Sequence, residues 1–137
     1  MELRKFIERT AATGILGVKI TQNGEDMGKH LWDEECRRNI YSASKSFTSA
    51  AVGIAVKEGL LRLEERLVDA FSEDIPENPN EFLQQATVRD LLTMCLGQQN
   101  AELMGGQRPF YQQKDWVRMS LAFPFTECPG KRFLYNN

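Results

Sequence analysis

The stretch that most constrains the fold runs Ile40-Tyr41-Ser42-Ala43-Ser44-Lys45-Ser46-Phe47-Thr48-Ser49-Ala50-Ala51-Val52-Gly53-Ile54-Ala55-Val56-Lys57-Glu58-Gly59. It predicts a helix whose small residues, Ala43, Ser44, Ser46, Ser49, Ala50, Ala51, Gly53 and Ala55, lie all round it. Phe47, Val52, Ile54 and Val56 are spread among them, so no wide polar face remains. A helix of that composition is expected inside a domain, as the most buried element of the chain. Gly59 is expected to close it as the residue just past its end. Ser42 falls at or just before the first turn, where free backbone N–H groups and the positive dipole end favour a hydroxyl and developing negative charge.

Lys45 follows Ser42 by three residues, nearly one helical turn, so the two side chains are expected on one face and in contact. A serine hydroxyl needs a base to become a nucleophile, and a lysine serves only when its amine is neutral. Burial and the positive helix end would both act in that direction. The plainer alternative is an N-cap serine followed by a solvated lysine, because both residue types are common.

The remaining classes narrow on composition. The chain has 137 residues, 42% of them hydrophobic and 26% charged, the profile of one ordinary globular domain with a real core. Seventeen Lys and Arg stand against nineteen Asp and Glu, a net charge of −2, and the two signs are interleaved. Nucleic acid is therefore not an expected partner. Cys36, Cys95 and Cys128 are odd in number and far apart, which points neither to a disulfide framework nor to a zinc site. No run approaches a membrane span, and the charged start Met1–Arg9 lacks the apolar core of a signal peptide. No membrane partner and a reduced, cytoplasmic location are the expectations.

In order along the chain, residues 2–12 carry Leu3, Phe6 and Ile7 at helical spacing, with Gly14 as a stop. Residues 15–20 and 27–32 are apolar-rich runs around Gln22-Asn23-Gly24-Glu25, a strong hairpin signal. His30, the single histidine, lies on the second strand without an acid pattern near it, and is expected to be structural or surface. Residues 60–71 read as a strand-like or turn segment leading into a helical turn, and residues 72–80 as a loop. Thr87 and Asp90 form a capping-box pattern at a helix start, with Gly97 as its expected stop. Residues 98–107 read as a loop. Residues 114–122 read as a helix with Trp116, Met119 and Leu121 or Ala122 inward, and the tail holds a Pro129-Gly130 turn before an extended apolar segment.

Four segments, in order, resemble the serine β-lactamase and penicillin-binding-protein superfamily, nearest its class C-type branch, which includes esterases and D-amino-acid peptidases. Tyr41-Ser42-Ala43-Ser44-Lys45-Ser46-Phe47-Thr48 is similar to the nucleophile motif, of which Ser-x-x-Lys is the signature. Glu58-Gly59-Leu60-Leu61-Arg62-Leu63-Glu64-Glu65 resembles the segment after that helix, and Thr87-Val88-Arg89-Asp90-Leu91-Leu92-Thr93 the family's TVRHLLTHTSG helix start. Pro129-Gly130-Lys131-Arg132-Phe133-Leu134-Tyr135-Asn136-Asn137 is similar to PGTRFxYSN, with Tyr135-x-Asn137 as the Tyr-x-Asn motif.

The resemblance implies an α+β fold, the N-terminal portion of a β-lactamase/transpeptidase-like domain: antiparallel hairpin strands packed on a buried nucleophile helix, mostly helix and loop thereafter. It implies acyl transfer through Ser42 on a small-molecule lactam, peptide or ester, with no cofactor and no metal. Ser42 would be acylated, Lys45 would accept its proton, Tyr135 would be a general base or relay titrating together with Lys45, and Asn137 would orient substrate. Read without the family pattern, Tyr135 is a packed aromatic. A small-ester hydrolase of the same family is one alternative; a penicillin-binding sensor without turnover, or an inactive fragment, is another. Met94-Cys95-Leu96-Gly97 replaces the family's His-Thr-Ser-Gly, and its third motif, Lys-Thr-Gly or His-x-Gly, does not occur. Residues 1–137 are accordingly expected to be a single incomplete domain lacking the C-terminal strands and helix, a weak or inactive catalyst by itself, and either a homodimer through its exposed sheet edge or dependent on the rest of its protein.

Overall fold

The computed structural model describes residues 3–104 and 112–137; Gly105 and Gly106, expected in a loop, lie outside them. The chain divides into two compact units, residues 1–41 and 42–137.

In the first unit, helix α1 spans Arg4–Thr10 and strands β1 (Gly17–Gln22) and β2 (Glu25–Leu31) pair antiparallel. Asn23 and Gly24 make the two-residue turn with φ of 52° and 83°, the positive values that match the turn to the twist of its strands. Asn tolerates this region and Gly adopts it freely. A register shift after Ile20 leaves Met27 without an opposite residue, the signature of a bulge. Trp32 collects His30 edge-on at 4.6 Å and Phe6 at 6.4 Å, so the histidine is an aromatic packing partner.

A 3-10 turn, Tyr41–Ala43, begins at the last residue of the first unit and runs into α2, Ser44–Lys57, in the second. Gly59, at φ 74°, closes α2 as expected: its N–H reaches the Val56 carbonyl and the Leu60 N–H the Ala55 carbonyl, the paired bonds of a Schellman end. The burial of this helix differs from the expectation. None of its residues is buried, and Phe47 and Ile54 are 71% and 57% exposed. Only the line Lys45, Val52 and Ala55 is half-covered. An all-round apolar surface lets a helix be enclosed, but enclosure needs packing partners on every side, and among the described residues α2 has them on one.

The core lies instead among short helices further on. Helices α3 (Leu67–Ala70), α4 (Glu81–Gln85), α5 (Val88–Leu92) and α6 (Trp116–Leu121) gather Leu67, Leu83, Ala86, Val88, Leu121 and Phe125 into one buried cluster, flanked by Leu61, Leu63, Phe71, Ile75 and Leu96. Residues 63–67 lie alongside 86–89 through Leu67 N–H to Ala86 O, Val88 N–H to Glu65 O and Arg89 N–H to Leu63 O, at 2.8–3.0 Å. Helix α4 has no counterpart in the sequence reading; Asn80 caps it by accepting from the Leu83 N–H at 3.0 Å. In α6, Leu121 is the buried residue while Trp116 stays 41% exposed, the reverse of the expected inward tryptophan. Leu67 is 1% exposed, so Leu67→Ala should destabilise the fold by about 2–5 kcal/mol, measured as a lowered urea midpoint.

Thr87 and Asp90 form the capping box, side chain to backbone in both directions, which fixes the start of α5. Its end comes earlier than expected. Met94, at φ 57°, takes the left-handed position, with Met94 N–H to Leu91 O and Cys95 N–H to Asp90 O. Gly97 serves a different need. A Cβ there would sit 2.1 Å from the Glu127 carbonyl oxygen, because residues 126–127 donate to the Gly97 carbonyl. Among the described residues, no helix is long and apolar enough to cross a membrane.

Candidate active site

Two features place Ser42. The Tyr41 backbone takes φ 45°, a conformation disfavoured for a bulky residue, and the chain then enters the 3-10 turn ahead of α2. Ala43 rather than Ser42 is the N-cap, and it makes no side-chain cap bond. The Ser42 hydroxyl is thereby left for other partners.

Its partner is Tyr135, whose hydroxyl lies 2.5 Å from Ser42 Oγ. Lys45 Nζ sits 5.3 Å from the centre of the Tyr135 ring and donates to Asn137 Oδ1 at 3.0 Å. Thus the residues singled out by spacing and by resemblance, Ser42, Lys45, Tyr135 and Asn137, occupy one locus. Between Ser42 and Lys45 themselves no hydrogen bond forms; Tyr135 stands between their functions. Lys45 is half-buried, not enclosed. The hydrogen bond with Ser42 is the main cause that holds the Tyr135 phenol below its ordinary range; burial opposes it, and the nearby Lys45 adds a smaller downward pull.

The tail that carries Tyr135 is tied back to the segment after α5. Gly130 N–H donates to Cys95 O and Leu134 N–H to Met94 O, at 2.8 and 2.9 Å. Arg132 adds bonds to the carbonyls of Gln98 and Gln99 and an ion pair to Glu127. Three contributors to the site went unrecognised in the sequence: Gln98, Leu103 and Asn136. The Asn137 amide donates to Leu103 O at 2.7 Å, and the Asn136 side chain accepts from Leu103 N–H at 3.0 Å. Residues 98–104, read only as loop, supply that frame. The sole sequence hint was a glutamine directly after the apolar Cys95-Leu96-Gly97.

Beside Lys45, Asn136 and Asn137 opens a cavity of about 620 Å³, walled by Val52, Leu61, Phe71, Leu91, Leu96 and Leu134. Among the described residues no group of three His, Cys, Asp or Glu is placed to hold a metal ion.

A hydroxyl at the head of a helix, a phenol at hydrogen-bond distance and an ammonium group by that phenol are groups that can serve as a nucleophile and its proton acceptor. Such an arrangement is chemically able to support acyl transfer through a serine. Residues 3–137 match the family model described as Beta-lactamase, and the chain belongs to that family. No curated protein gives a significant match.

Proposed function

We propose that the chain is a serine hydrolase of the β-lactamase and penicillin-binding type, acylated at Ser42 by a lactam, amide or ester. The observation that carries this reading is the 2.5 Å approach of the Tyr135 hydroxyl to Ser42 Oγ with Lys45 against the same ring. With Tyr135 ionised, the Ser42 O–H proton passes to the phenolate oxygen as Oγ bonds to the substrate carbonyl carbon. The tyrosine then returns that proton to the departing nitrogen or oxygen when the acyl bond breaks. Water repeats the cycle on the acyl-enzyme and frees the acid. Lys45 keeps the phenolate electrostatically favoured, and its bond to Asn137 sets the amide that would face substrate.

Within this class, a small-ester hydrolase is supported by the cavity beside Lys45 and Asn137, whose aliphatic and aromatic walls suit an apolar acyl or alcohol group better than a charged peptide. Intact-mass measurement after exposure to a fluorescent penicillin and to a nitrophenyl ester tests both readings. A mass increase that maps to Ser42 is expected, with the ester reacting faster. Labelling at another residue, or with neither reagent, would defeat the proposal.

A further inference from the structure

Gln98 is the buried polar side chain of the described core, 5% exposed. A buried amide is costly unless both its ends are bonded, and both are. Its Nε2 donates to Ser120 O at 2.8 Å, and its Oε1 accepts from Asn136 Nδ2 at 3.3 Å. Asn136 is equally committed, since its Oδ1 accepts from the N–H groups of Leu103 and Asn137, each at 3.0 Å. Contacts along the tail therefore alternate: Tyr135 and Asn137 meet Ser42 and Lys45, while Asn136 between them meets Gln98 and Leu103.

We propose that Gln98 and Asn136 are positioning residues, an amide pair that orients the Tyr-Asn-Asn tail so that Tyr135 meets Ser42 and Asn137 presents its oxygen to Lys45. The proposal rests on the acyl-transfer reading and adds two residues that touch neither the nucleophile nor its proton acceptor. The orientation of Asn137 follows directly. Its Nδ2 is taken by Leu103 O at 2.7 Å, so only Oδ1 can face the Lys45 ammonium. Leu103 is itself held by Asn136. If the pair were lost, the tail would keep Arg132 and the Leu134 bond to Met94, anchors that lie before Tyr135 and leave its side chain free to turn away from Ser42. A displacement of about 1 Å at a reacting group is enough to cost on the order of 100-fold in rate.

The experiment compares wild type with Gln98→Leu, Asn136→Ser and the double variant. Two readouts are used, the rate of Ser42 acylation against pH and the ionisation of Tyr135 by ultraviolet difference titration, with Tyr135→Phe as the blank. In each single variant the expected result is an acylation rate at least about tenfold lower, with the Tyr135 titration moved up towards that of a free tyrosine. The double variant should be no worse than the poorer single one, because the two side chains act as one device. Far-ultraviolet circular dichroism identifies the folded variants. Should Gln98→Leu fail to fold, Asn136→Ser, at a less buried position, carries the test. An unmoved Tyr135 titration in a folded variant overturns the proposal, as do additive losses in the double variant. Because the titration needs no substrate, a wild type that acylates with nothing would defeat the proposed function while the amide pair is still tested by that readout.

Discussion

Ser42→Ala is expected to abolish covalent labelling by lactam and ester probes while leaving the fold in place. The hydroxyl is the only group removed. It caps no helix end, it lies on an exposed turn, and among the described residues its side-chain bond goes to Tyr135. A change of that kind away from the core alters stability by about 0.5 kcal/mol or less. Chemistry is affected on another scale. Without a nucleophile there is no acyl-enzyme, so turnover should fall by a factor on the order of 10⁶. Intact-mass measurement and a thermal melt on the same sample separate the two effects: an unchanged melt with no adduct is the expected pair. An adduct at undiminished rate would place the nucleophile elsewhere.

Tyr135→Phe should lower acylation by about 10²–10⁴-fold, the range for removing a general base, with little effect on folding. The pH dependence gives the sharper test. Ser42 and Lys45 hold the Tyr135 phenol below its ordinary range, and in the proposed mechanism the base form is the reactive one. Acylation by wild type should therefore rise with pH and level off below about pH 10, where a free tyrosine would only be half ionised. In Tyr135→Phe that rise should disappear. Stability follows the same sign. A phenol whose folded value is depressed stabilises the fold fully only above the unfolded value near 10, and that contribution fades as pH falls through the folded value. Identical pH profiles for wild type and Tyr135→Phe would remove the tyrosine from the mechanism.

Which parts of this were legible in the sequence depends on how local their causes are. Asn23-Gly24, Gly59 and the Thr87/Asp90 pair each specify their geometry within a few residues, and each is found as read. Helix α4 was missed because five residues with two apolar side chains show no period, although Asn80 ahead of Glu81 was a usable capping signal. The end of α5 was misplaced because left-handed closing positions are usually glycine. Here Met94 takes that position, and Gly97 answers to the approach of Glu127 from thirty residues away. The exposure of α2 lay beyond reach for a similar reason: composition states what a helix can bury, not what stands opposite. Spacing alone drew attention to Ser42 and Lys45, whereas Tyr135 and Asn137 entered through resemblance. Gln98 and Asn136 carried no pattern at all, since their roles exist only once two distant segments meet.

That distance has a kinetic consequence. Tyr135 is 93 residues from Ser42, and closing a loop of that length costs roughly 4 kcal/mol of chain entropy. The bonds that close it at the site are polar and mostly exposed, so they draw little on the buried cluster. In a urea titration, labelling should fade at a lower concentration than the loss of helical signal, because the tail can open while the core holds. The order of synthesis points the same way. At about 5–20 residues per second, Ser42 is added roughly 5–19 s before Tyr135. On the proposed assignment the nascent chain carries its nucleophile before its base for that interval, so acylation at Ser42 is expected only once the tail has arrived.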